Sequence, residues 1–146
     1  ETSSISSKIP FGLVNSSLIF IFYILFVLIV ILNIQKKSFL LLFFNILFVY
    51  ISYFAVTYFF STYIYELPTH QCPFCMLQSE YYFIGYFIWS ALFLGLFFSI
   101  CLVIFSKINS TYMYKFYKLS LIFTTIFVFL VTFFVLKYYV VNGVFL

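Results

Sequence analysis

Residues 18–37 read LIFIFYILFVLIVILNIQKK. The run is apolar from 18 to 34 and is stopped by Gln35, Lys36 and Lys37. That is close to the ~20 mostly apolar residues a helix needs to cross the hydrocarbon core of a bilayer. A strand of an outer-membrane barrel would instead alternate apolar and polar positions over about ten residues. The unbroken run therefore predicts a transmembrane helix, and the same pattern recurs on its C-terminal side. Residues 39–65, 81–105 and 119–140 are three further apolar stretches, and 66–80 forms the connection between the second and third. The second stretch is longer than the hydrocarbon is thick, so it should tilt or place its Tyr-rich end among head groups.

Composition agrees. Of 146 residues, 66% are hydrophobic, 27% aromatic and 7% charged, whereas a soluble domain carries about 25% charged residues to cover its surface. The expected fold is an all-α, polytopic four-transmembrane-helix bundle, with 1–146 as a single membrane domain and the lipid bilayer as its main partner. The first residue is Glu1, not Met, and the expectation is that upstream residues were removed or are not included. The net charge of +4 comes from scattered lysines with no arginine. No basic stripe forms, so nucleic acid is not an expected partner.

Lysine placement predicts the orientation. Lys36 and Lys37 lie between the first and second stretches, and Lys107, Lys115 and Lys118 between the third and fourth. Under the positive-inside rule these two connections are cytoplasmic. Both termini and the 66–80 loop then face outward, in the arrangement of a bacterial inner-membrane protein. Tyr53, Tyr58, Tyr63, Tyr65, Tyr81, Tyr82, Tyr86, Tyr138 and Tyr139 fall toward that outer end. They read either as an interfacial aromatic belt or as an aromatic pocket suited to a flat ring such as a quinone.

Helices in lipid associate by close packing and interhelical hydrogen bonds. Ala91, Gly95 and Ser99, spaced by four, predict a small-residue stripe against a neighbouring helix. Asn45 and Ser52 share a face of the second stretch, with Asn45 expected to bond a neighbouring helix. No charged residue lies deep in a stretch, which argues against the relay of a proton pump or the lining of an ion channel.

The outer loop carries the chemistry, in Cys72-Pro73-Phe74-Cys75. Pro73 suits the first position of a helix, which would make Cys72 the N-cap of a helix running on into the third stretch. The free N–H groups and positive dipole end there favour a thiolate. Such a pair reads as a redox dithiol, as a metal-holding pair, or as a structural disulfide. A disulfide closing so short a loop removes little unfolded-state entropy. For metal, His70, Cys72, Cys75 and Met76 form a soft donor set of the kind that suits Cu(I). A closed zinc site would need a second ligand pair, and haem attachment would need His where Met76 stands. Cys101 lies about 39 Å away along a helix and reads as a small core residue.

The sequence Cys72-Pro73-Phe74-Cys75-Met76-Leu77-Gln78, leading into a membrane helix, resembles the CxxC-x-x-Q-R stretch of DsbB-type proteins. Together with vitamin K epoxide reductase-like proteins, these are four-helix membrane thiol–quinone oxidoreductases. Ser79 stands where that family has arginine, and the sequence has one outer cysteine pair where the family has two. The resemblance implies a membrane thiol–disulfide oxidoreductase with Cys72 as exposed nucleophile and Cys75 as resolving cysteine. It further implies quinone as cofactor and membrane or periplasmic thiol proteins as partners. Gln78, Ser79, Tyr82 and Tyr86 follow Cys75 at helical spacing and would line the quinone on that face. The competing reading is a small accessory subunit of a larger membrane complex, its CxxC structural or metal-holding.

Overall fold

The computed structural model describes residues 15–67, 72–106 and 110–145. Every regular element among them is helical: α1 (Asn15–Ile34), α2 (Ser38–Ala55), a π-helical turn (Val56–Phe60), α3 (Ser61–Tyr65), two 3-10 turns (Cys75–Leu77 and Ser79–Tyr81), α4 (Ile84–Phe105) and α5 (Ser110–Asn142). α2, the π turn and α3 run on as one 28-residue span, Ser38–Tyr65. With it, four helices are long and apolar enough to cross a membrane. The chain is an all-α four-helix membrane bundle.

The burial pattern shows which solvent the bundle is built for. Phe20, Val27, Phe43, Phe97, Phe129 and Val140 point outward, whereas Asn33, Asn45, Ser99, Ser120 and Thr124 are buried. A surface of large apolar side chains on every helix suits hydrocarbon and would be untenable in water. Inside, Phe22 of α1 is fully buried. Its ring centroid lies 5.1 Å from that of Phe48, 5.3 Å from Phe60 and 6.1 Å from Phe127. This aromatic cluster ties α1 to α2, the π turn and α5.

The closest helix seam joins α4 to α5, and the small-residue stripe forms it. Ala91, Gly95 and Ser99 are all buried. A Cβ on Gly95 would stand 2.7 Å from Thr124 Oγ1, so only glycine admits this approach. The approach in turn lets Ser120 Oγ donate to the Gly95 carbonyl at 3.0 Å and sit 2.8 Å from Ser99 Oγ. Asn45 behaves differently from expectation. It is buried, but its Nδ2 donates to Leu41 O of its own helix at 2.9 Å, and Ser52 Oγ has no hydrogen-bond partner among the described residues. It is Asn33 of α1 that reaches across to a neighbouring helix, its Nδ2 donating to Tyr117 O at 3.0 Å. A backbone carbonyl oxygen has two lone pairs, so it can accept this bond as well as one within its own helix.

The turns fix the two ends. Lys36 takes the left-handed conformation (φ 55°). Lys36 N–H bonds to Asn33 O and Lys37 N–H to Leu32 O, the paired bonds of a Schellman helix stop. Tyr117 Oη donates to Lys36 O at 2.7 Å. The turn carrying Lys36 and Lys37 therefore shares one end of the bundle with Lys115 and Lys118, as their placement predicted; Lys107 lies outside the described residues. At the other end α3 stops on left-handed Glu66 (φ 56°), and Tyr63 meets Tyr138. The cysteine motif belongs to this end.

Candidate functional site

Cys72 and Cys75 are joined by a disulfide, with Cα atoms 5.6 Å apart. Cys75 N–H donates to Cys72 Sγ at 3.2 Å, the local bond expected of an N-capping cysteine. The helix expected to follow does not form. Cys75–Leu77 is a single 3-10 turn ending at extended Gln78 (ψ 158°). A second turn, Ser79–Tyr81, ends at Tyr82 and Phe83, both left-handed (φ 53° and 55°). The third span begins only at Ile84, three residues beyond the predicted start at 81. The chain doubles back because burial favours it. Met76 is fully buried, and it packs so close to Gly85 that a Cβ there would meet Met76 Cγ at 2.5 Å and Leu77 Cδ2 at 2.9 Å. Burying Met76 is worth about 1.5–3 kcal/mol and half-burying Leu77 adds part of that again, enough to offset the roughly 1–2 kcal/mol per left-handed residue that the reversal costs. A Cys72 thiolate would thus be stabilised by one backbone N–H and not by the dipole of a long helix.

Two side chains from the spans hold the motif. Tyr65 Oη, at the end of α3, donates to Cys72 O. Trp89 Nε1, in the second turn of α4, donates to Pro73 O at 3.2 Å. Trp89 stacks on Phe74 of the motif at 6.4 Å and on Phe93 at 6.2 Å. These rings, with Tyr53, Leu77, Tyr86 and Ser90, line a cleft of about 380 Å³ between α2 and α4. Phe74, between the two cysteines, thus belongs to both the disulfide loop and the cleft. Both cysteines are half-buried.

The reversal scatters the residues expected on one helical face. Tyr86 lines the aromatic cleft. Tyr82 is 90% exposed and lines a different pocket, on the α3–α5 side of the motif. Gln78 and Ser79 are exposed and line neither. Of the metal alternative, His70 lies outside the described residues, Met76 is buried against Gly85, and Cys72 and Cys75 are bonded to each other. Among the described residues no group of three or more His, Cys, Asp or Glu gathers to hold a metal. Cys101 is free and half-buried. Trp89, Ser90 and Phe93 were absent from the sequence-based site, whereas Tyr53 was among the tyrosines read as a belt or an aromatic pocket. One signal for them exists: Tyr86, Trp89, Ser90 and Phe93 follow the i, i+3, i+4, i+7 pattern of one helix face.

Comparison with known proteins finds no match among family models, curated proteins or solved structures.

Proposed function

We propose that the chain is a membrane thiol–disulfide oxidoreductase in which Cys72–Cys75 takes electrons from a thiol protein and passes them to a quinone in the aromatic cleft. The observation that carries the reading is the placement of Phe74 and Pro73, the two residues between the cysteines. Both are held by Trp89, a wall of the cleft. An acceptor bound there lies against the disulfide loop, and movement of one is felt by the other.

The cleft suits a flat hydrophobic ring. Its size falls in the about 300–1,000 Å³ range of small-molecule sites. Its walls offer aromatic faces for offset stacking, and Tyr53 and Tyr86 contribute to it through their rings. The local resemblance to DsbB-type proteins points to the same chemistry. On this reading the motif end faces the oxidising compartment and the lysine end the cytoplasm, as in a bacterial inner membrane.

The exchange balances in two steps. A substrate thiolate attacks Cys72 Sγ, the Cys72–Cys75 bond breaks, and Cys75 leaves as a thiolate. The substrate's second thiolate then attacks its own sulfur in the mixed disulfide, and Cys72 leaves. The Cys75 N–H that points at Cys72 Sγ stabilises that leaving thiolate, and a better leaving thiolate speeds exchange. The substrate has lost two electrons and two protons, which a quinone accepts as the pair returns to disulfide.

The test is a maleimide gel shift on membranes after brief reduction. With a short-chain quinone added, Cys72 and Cys75 should become unreactive again; without it they should stay labelled. Cys75→Ser should accumulate mixed disulfides through Cys72, and Trp89→Ala should slow reoxidation by quinone. A pair indifferent to quinone, in a protein that copurifies with stoichiometric copper, would replace this reading with the metal-holding accessory subunit.

A further inference from the structure

We propose that the pocket on the α3–α5 side of the motif end binds the head group of a phospholipid carrying a primary amine. At this end of the bundle the charged side chains among the described residues are Glu66, Glu80 and Lys137, and all three line this one pocket of about 350 Å³. They come from three separate elements: the stop of α3, the second 3-10 turn and the last turns of α5. No ion pair joins them among the described residues, so their charges are available to a ligand. The lining also includes Ile84 and Phe134, which belong to the spans. The pocket therefore straddles the level at which apolar spans give way to charge, where head groups lie.

The chemistry selects among lipids. A primary ammonium has three N–H donors and can serve both Glu66 and Glu80 through charge-assisted hydrogen bonds. Lys137 supplies the opposite charge for the phosphodiester, and Phe134 a surface for the first acyl carbons. A choline head group has no N–H to donate. A glycerol head group would bring net negative charge against two carboxylates. The site should therefore prefer phosphatidylethanolamine over phosphatidylcholine and phosphatidylglycerol. None of this rests on the redox reading, since the aromatic cleft and the charged pocket share no lining residue.

The experiment is native mass spectrometry of the intact chain released from micelles holding equal amounts of dioleoyl phosphatidylethanolamine, phosphatidylcholine and phosphatidylglycerol. Wild-type protein should retain the ethanolamine lipid over each of the others by about tenfold, the equivalent of one net charge-assisted hydrogen bond. Glu66→Gln with Glu80→Gln should bring that ratio to about one, and Lys137→Gln should lower retention of the ethanolamine lipid. All three side chains are exposed, so the variants keep the packed core. Free O-phosphoethanolamine should not displace the lipid; displacement would identify a soluble amine as the occupant and overturn the lipid assignment. Equal retention of the three lipids by wild-type protein, or a preference that survives the double substitution, would overturn the site.

Discussion

Gly95→Ala is the sharpest perturbation of this fold, because one added methyl meets the narrowest seam. The new Cβ would sit 2.7 Å from Thr124 Oγ1 and 3.4 Å from Thr124 N. Reaching ordinary contact with Oγ1 requires α4 and α5 to part by about 0.7 Å. The Ser120–Gly95 bond at 3.0 Å and the Ser99–Ser120 contact at 2.8 Å would then stretch past useful hydrogen-bond length. Overpacking of this kind costs about 1–3 kcal/mol, and two interhelical hydrogen bonds in a membrane add about 0.6 kcal/mol each. Alanine recovers about 1 kcal/mol over glycine in a helix interior. The net loss should be about 1–3 kcal/mol, read as a shifted midpoint in an SDS unfolding titration followed by circular dichroism in micelles. The decisive comparison is the double variant with Thr124→Ala, which removes the clashing oxygen and leaves contacts of 3.4 Å or more. It should be more stable than the sum of the single effects by about 1–2 kcal/mol. If Gly95→Ala is neutral, or if Thr124→Ala brings no recovery, the close approach of α4 and α5 is not what holds the bundle.

Two other substitutions probe the motif loop. Gly85→Ala places a Cβ 2.5 Å from Met76 Cγ and 3.0 Å from the Met76 carbonyl carbon. It should cost about 1–3 kcal/mol and loosen the loop, so that dithiothreitol reduces Cys72–Cys75 faster than in wild type; an unchanged reduction rate would mean that Gly85 does not position the motif. Tyr82→Gly should raise stability by about 0.5–1 kcal/mol, since relief of the left-handed penalty exceeds the extra freedom of the unfolded chain. Phe87→Gly, also at an exposed position but in regular helix, should lower stability in the same titration; a loss at both positions would contradict the left-handed turn.

Composition, apolar run length and lysine placement were enough to read the solvent, the spans and their pairing into ends. Apolar runs of this length leave their backbone groups only one way to be satisfied in lipid, within their own helix, so α1 and the spans after it follow from local composition. The connection with Lys36 and Lys37 and the start of α5 had to meet, because an even number of crossings returns the chain to the same side. Ala91, Gly95 and Ser99 were legible as a seam for a similar reason: small residues at spacing four have no other common use in a lipid-embedded helix. Tertiary structure decided the rest. Whether Asn45 or Asn33 reaches across to a neighbour depends on helix rotation and on which carbonyl lies opposite, and neither is written in the span itself. The helix expected from Cys72 onward was a sound local reading of Pro73, yet it lost to burial of Met76 and the packing of Leu77 against Gly85. That contact joins residues brought together by the reversal it stabilises. The same reversal parted Tyr82 from Tyr86, sending one to the charged pocket and the other to the aromatic cleft. It also set Phe74 against Trp89, a pairing that spacing along the chain does not reveal.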